Sequence, residues 1–246
     1  MTIHQSNIYD RIIDKIKKNR ISTTEIADCL GKTGDIEGVS PLCSGAFVVG
    51  RVFFAYGYNE RNWEIHEQIT GIKPGDILVV EMHNCHKRAA FGELVSKFAL
   101  LYKGASAIVV NGYMRDANRI IKENYPIWCK GVTPIGCLNR KNEHPINKDI
   151  LLEFRKKYED AIVVCDDGGV VVIGKENINE EFLEKLDFIE LQEDIWGYCI
   201  NTKKWSTYET VCLKKYFDTH LLPAEFKDDF ESFLNAKEKT NEKDNR

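Results

Sequence analysis

Residues 91–120 read FGELVSKFALLYKGASAIVVNGYMRDANRI, a stretch with polar residues at both ends of two apolar interiors. Phe91 to Lys103 carries a helical pattern that Gly104 stops, and Ala107 to Val110 is a short apolar run suited to a buried strand. The run meets Asn111-Gly112, after which Asp116 to Asn124 is helical again. Arg115 and Asp116 should therefore project from the carboxyl end of a strand, where ligands of open α/β sheets bind. Gly92, at a helix start, lets a ligand approach the backbone, and the N–H groups after it would favour a carboxylate. An adjacent cation and anion suit different tasks. Arg115 can hold a carbonyl oxygen or a developing enolate, while Asp116 offers a hard oxygen to a divalent ion. Asp116 is equally well placed to cap the helix that starts at Ala117.

Working outward, strands and helices alternate irregularly. Ile8, Ile12, Ile13 and Ile16 recur at helical spacing among lysines and arginines, and Ser22 with Glu25 has capping-box spacing. Ala46–Tyr56 and Ile77–Glu81 read as strands on either side of a helical Trp63–Thr70 and a Lys73-Pro74-Gly75-Asp76 turn. Ile127–Cys129 is a further strand. Ala161–Cys165 and Val170–Ile173 form a hairpin through Asp166-Asp167-Gly168-Gly169. This order predicts a layered α/β domain rather than a doubly wound sheet or an eight-fold barrel. The domain should span 21–217, after an N-terminal helix in 1–20. Residues 218–246 are polar, so a partly disordered C-terminal extension is expected there.

Composition narrows the function classes. The 246 residues are 43% hydrophobic and 29% charged with a formal net charge of -4, which gives no general attraction to nucleic acid. No apolar run approaches the length of a membrane span, and the eight cysteines form no Cys-x-x-Cys pair. A soluble cytoplasmic protein with free thiols is expected. His83, Cys85 and His86 in MHNCHKR lack the partner spacing of a zinc site and read as surface or packing residues. Lys97 and Lys103, on an amphipathic helix, read as solvated rather than Schiff-base lysines.

Several separated segments together resemble the RraA-like family over about residues 21–213. They are ISTTEIADCLGKTG (21–34), GVSPLCSGAFVVGRV (38–52), Lys73-Pro74-Gly75-Asp76, FGEL (91–94), NGYMRD (111–116), GVTPIG (131–136) and VVCDDGGVVVIG (163–174). The resemblance implies a three-layer β/β/α domain of the swivelling type, assembled as a homotrimer or a dimer of trimers with sites between neighbours. It implies a metal-dependent class II aldolase that cleaves 4-hydroxy-4-methyl-2-oxoglutarate or a related 2-oxo acid to pyruvate, with oxaloacetate decarboxylation as a side activity. Arg115 and Asp116 would be catalytic, with Asp116 toward Mg2+ or Mn2+ and Arg115 on the substrate. Gly92, Glu93 and Leu94 would complete the substrate pocket, with Glu93 orienting a metal-bound water as general base. Arg119 stands where catalytic relatives usually carry an acid, and Glu209 is a candidate for the acid that a neighbouring subunit contributes. The family also includes regulators that bind a ribonuclease without catalysis, which is the alternative reading.

Overall fold

The computed structural model describes the backbone of residues 7–244 and the side chains of 7–235. In chain order its elements are α1 (Ile8–Asn19), α2 (Thr23–Cys29), β1 (Ser40–Pro41), β2 (Val48–Tyr58), α3 (Trp63–Gln68), β3 (Ile77–His83), α4 (Glu93–Lys97), β4 (Ala107–Met114), α5 (Ala117–Lys122), β5 (Ile127–Val132), α6 (Lys148–Tyr158), β6 (Ile162–Asp166), β7 (Gly169–Ile173), α7 (Glu180–Asn201) and α8 (Ala224–Asp244). Helix α4 runs on into a π turn over Phe98–Tyr102, so the helix expected over 91–103 is present with a change of winding.

One seven-stranded sheet has the order β1-β5-β4-β3-β2-β6-β7. Strands β2 to β5 run parallel, while β1, β6 and β7 pair antiparallel. The segment leading to β1 also bonds to β7, through Val172 N–H to Gly34 O at 2.8 Å and Ile36 N–H to Val170 O at 3.1 Å. The sheet thus nearly closes on itself. Alternate residues of the parallel strands serve its two faces, as strand geometry requires. Ile77, Val79, Ala107, Val109 and Trp128 point inward, where they meet Val163, Cys165, Val170 and Val172 from the opposite wall. Leu78, Val80, Ile108, Val110, Ile127 and Cys129 point outward to Ile65, Ala99, Leu100 and Ile120 from the helices. These are the two β layers and the α layer of the expected fold. Each fully buried valine, leucine or isoleucine contributes about 1.5–3 kcal/mol, which explains why these strands read as continuous apolar runs.

Two details aim the site. Strand β4, read from the sequence over 107–110, continues through Asn111-Gly112 to Met114 with a register shift against β5 between Val110 and Tyr113. Such irregularities redirect side chains at strand ends. Gly112 is required there, because a Cβ would lie 2.8 Å from Met82 Cγ.

The chain divides into two compact units, Met1–Phe182 and Leu183–Arg246. The division falls earlier than the boundary at 217 expected from polarity, and α1 belongs to the first unit, with Ile12, Ile13 and Ile16 buried. In the second unit Ile195, Cys199, Tyr216, Leu222 and Phe230 form a core flanked by Phe226 and Leu234. Residues 224–244, expected to be partly disordered, are the helix α8. Leu222, Phe226, Phe230 and Leu234 recur every fourth residue inside a polar run rich in helix formers, which is sufficient for one apolar stripe. Residues 1–6 and 245–246 of the expected terminal segments lie outside the described residues. Among the described residues no helix is long and apolar enough to cross a membrane.

Candidate active site

Strand β4, the start of α4 and the start of α5 converge at Arg115-Asp116. The Arg115 N–H donates to Phe91 O at 3.1 Å and the Ala90 N–H to Tyr113 O at 2.8 Å, so residues 90–92 run beside the end of β4. Asp116 occupies the N-cap position of α5 with a left-handed backbone (φ 58, ψ 30), yet its side chain makes no capping hydrogen bond to that helix. Its Oδ2 instead accepts the Glu93 N–H of α4 at 3.1 Å. The expected capping role is filled by position alone, while the carboxylate faces another helix start.

Gly92 is fixed by contact rather than by backbone freedom. A Cβ there would fall 2.0 Å from Asp116 Oδ2 and 2.9 Å from Arg115 Cγ. Arg115 Nε lies 3.8 Å from Asp116 Oδ2. On its far side the guanidinium meets the loop after β5, where a Cβ on Gly136 would lie 2.7 Å from Arg115 Nη1. A cleft of about 410 Å³ opens here, lined by Arg115, Asp116, Arg119, Val132, Thr133 and Pro134 among others.

The structure therefore brings together Arg115, Asp116, Gly92 and Glu93. Gly92, Glu93 and Leu94 are not among the cleft-lining residues; Gly92 and Glu93 lie behind Asp116, and Leu94 is 78% exposed. The Glu93 carboxylate, largely shielded, lies 3.9 Å from Arg119 Nη1, so the cation at 119 pairs with the candidate base. Glu209 belongs to the second unit, where Lys215 and Ser206 hold its carboxyl down at about 2. Reading the sequence did not single out Thr133, Pro134 and Gly136 as site residues. Their signal was the GVTPIG segment, whose Pro and Gly mark a shaped loop at a strand end.

Among the described residues no group of three or more His, Cys, Asp or Glu side chains is arranged for a metal ion. Asp116 offers one half-exposed carboxylate on the cleft. That fits a magnesium-like cation, which commonly takes one or two carboxylates and completes its shell with water and substrate oxygens.

A Shewanella oneidensis protein with the provisional name 4-hydroxy-4-methyl-2-oxoglutarate aldolase is 27% identical over 58% of this chain and 88% of its own. A Halalkalibacterium halodurans protein of the same provisional name is 30% identical over 70% of this chain and 84% of its own. Among solved structures, Streptomyces coelicolor RraAS2, described as an unusual member of the RNase ES inhibitor RraA protein family, superposes with a TM-score of 0.56 at 22% identity, covering 74% of this chain and 94% of its own. An uncharacterized Pseudomonas syringae protein superposes with a TM-score of 0.60 at 20% identity, covering 80% and 95%. These two likenesses carry the fold. The model of the RraA-like family, described as Aldolase/RraA, matches residues 23–172, the strands and loops that build this cleft, and the chain belongs to that family.

Proposed function

We propose that this protein is a divalent-metal-dependent carbon–carbon lyase of the cytoplasm that releases pyruvate from 4-hydroxy-4-methyl-2-oxoglutarate or a related 2-oxo acid and also decarboxylates oxaloacetate. The observation that carries the reading is the Asp116 carboxylate, diverted from capping its own helix and held beside Arg115 on an open cleft. The provisional aldolase names of the two bacterial relatives support the same class.

Both reactions break the bond between C3 and C4 of the 2-oxo acid and leave its electron pair as a pyruvate enolate. Charge then develops on the carbonyl oxygen. Arg115, at the end of β4 with its guanidinium beside Gly136, meets that oxygen with a cation as the charge grows. Bound Mg2+ or Mn2+, held by Asp116, would supply Lewis-acid polarisation of the same carbonyl. In aldol cleavage the 4-hydroxyl proton must leave, and Glu93 would orient the water that serves as general base, with Arg119 paired to its carboxylate at 3.9 Å. Gly92 and the Glu93 N–H hold Asp116 in place, and Leu94 extends from the same helix start. A homotrimer or dimer of trimers, in which neighbours complete the cleft, fits the open walls of the site.

The test is pyruvate release from 4-hydroxy-4-methyl-2-oxoglutarate and from oxaloacetate with Mg2+, Mn2+ or EDTA. Wild type should turn over only with metal, and Arg115→Ala and Asp116→Asn should each lose about 100-fold or more, as expected when a charge-stabilising group is removed. Absence of turnover with every metal would overturn the reading for these substrates and favour the non-catalytic, ribonuclease-binding alternative.

A further inference from the structure

The MHNCHKR segment, which the proposed reaction does not use, builds a confined environment around one sulfur. Cys85 is 2% exposed and lies between Asn84 (φ 50) and His86 (φ 49), both in the left-handed region. The turn facing it contains two more such residues, Asn59 (φ 52) and Glu60 (φ 58). Non-glycine residues in this region are uncommon, and their strain concentrates at functional sites. The two turns are tied together by Asn84 Nδ2–H to Asn59 Oδ1 at 2.9 Å and Asn59 N–H to His83 O at 3.0 Å.

The sulfur of Cys85 has three kinds of partner. Its S–H donates to His83 O at 3.3 Å. The Cys137 thiol lies beside it, as does the backbone N–H of Glu60. The Arg61 N–H donates to Tyr58 O at 3.1 Å, and the Leu138 N–H, donating to Glu60 O at 2.8 Å, holds the chain of Cys137 on the same turn. The Cys137 contact is the main reason that the Cys85 thiol is more acidic than usual, and the same contact pushes Cys137 up. Burial pushes the thiols of Cys129, Cys165 and Cys199 up instead. Cys137 is partly exposed and fixed by its N–H to Ala89 O at 2.9 Å. Arg88, paired with Glu60 at 3.1 Å, donates to Gly136 O at 3.2 Å. Gly136 is the residue against which the Arg115 guanidinium rests.

We propose that Cys85 and Cys137 are an oxidation site, a dithiol that hydrogen peroxide converts to an intramolecular disulfide, which fixes the 131–138 loop beside Arg115. The Cys85 thiolate attacks one peroxide oxygen. The O–O bond breaks, hydroxide leaves, and Cys85 becomes a sulfenic acid, oxidised by two electrons as the peroxide is reduced. The Cys137 sulfur then attacks the Cys85 sulfur, the S–O bond breaks, and the departing hydroxide takes the thiol proton as water. The sum is two thiols and one peroxide giving one disulfide and two waters. Disulfides in reducing compartments are characteristically transient and redox-sensing, in keeping with a reversible link.

The experiment treats the full chain with hydrogen peroxide and maps its peptides without reduction, before and after dithiothreitol. The expected result is loss of two hydrogens in a cross-link between the Cys85 and Cys137 peptides, reversed by the reductant, with several-fold slower amide exchange over 131–138. In Cys137→Ala, dimedone should trap a sulfenic acid on Cys85, while in Cys85→Ala the Cys137 thiol should stay unmodified. A first oxidation at exposed Cys212 with Cys85 still reduced, or a link from Cys85 to any other cysteine, would overturn the assignment. A correct cross-link with unchanged exchange over 131–138 would overturn the coupling to the loop. The wild-type peptide map decides the assignment even where a variant fails to fold.

Discussion

Asp116 separates the structural and chemical uses of one side chain. Its left-handed backbone is tolerated by Asn and Asp but costs roughly 1–2 kcal/mol for other side chains, and its carboxylate is spent on Glu93 rather than on a cap. Asp116→Asn should therefore keep its stability to urea within about 1 kcal/mol of wild type while losing pyruvate release, whereas Asp116→Ala should lose both. An active Asn variant would show that the negative charge is not needed. Gly92 and Gly136 make a second comparison. At Gly92 an added methyl meets a carboxylate held by a backbone N–H, but at Gly136 it meets the free end of the flexible Arg115 side chain. Gly92→Ala should consequently reduce kcat/KM well below Gly136→Ala, and equal losses would mean that the guanidinium position is the more constrained of the two. The place of Arg115 and Asp116 at a strand end was legible because a charged pair followed an apolar run, whereas their proposed role came from the resemblance of NGYMRD to the family. The partner of Asp116 was not legible, because nothing local in FGEL shows which carboxylate its N–H groups face.

At the scale of elements, the parallel strands announce themselves, since a strand buried on both faces must be apolar at every position. Helix α6 does not. Its Leu151, Phe154 and Tyr158 are interspersed with charged residues, and its place becomes visible only when Tyr158 is seen to enter the sheet interior. There the Tyr158 hydroxyl donates to Glu81 Oε1 at 2.5 Å, and Asn111 Nδ2 donates to both oxygens of the same carboxylate at 2.9 and 2.8 Å. Burial, with the Glu81 charge beside it, pushes the tyrosine hydroxyl up. Tyr158→Phe keeps the ring and leaves a buried carboxylate short of one donor, so it should cost about 1–3 kcal/mol in urea unfolding. An unchanged midpoint would show that Asn111 alone satisfies Glu81. The bulge at the end of β4 was likewise hidden. The apolar run stops at Val110, and only pairing with β5 and contact with Met82 show that the strand continues through Asn111-Gly112.

At the scale of the whole molecule, residues 218–246 of the second unit were read as a polar tail because their apolar residues are thinly spaced, and 183–217 were read as part of the main domain. Glu209 offers a test of the unit's acid stability. Lys215 and Ser206 hold its carboxyl at about 2 in the folded state, below the ordinary value of 4.5. A depressed carboxyl stabilises the folded state above its unfolded value, and that contribution is lost as pH falls from 4.5 toward 2. Helicity should thus fall over that interval, less steeply in Lys215→Met, where the carboxyl has already lost its partner. A Lys215→Met profile that matches wild type would place the acid sensitivity elsewhere. The first unit poses the question of assembly. Leu94, Leu101 and Tyr102 are 78%, 60% and 74% exposed, and they stand at positions i, i+7 and i+8 along α4 and its π turn, next to the residues that hold Asp116. Leaving such a stripe in water is unfavourable by tens of calories per mole for each square ångström, and a second copy of the chain is the occupant that the proposed trimer supplies. Leu101→Glu should lower the mass seen by light scattering to that of a monomer and reduce pyruvate release with Asp116 intact. If Leu101→Glu keeps the mass of wild type, the stripe is not the interface. If wild type is itself a monomer at micromolar concentration and still releases pyruvate, the cleft needs no neighbour.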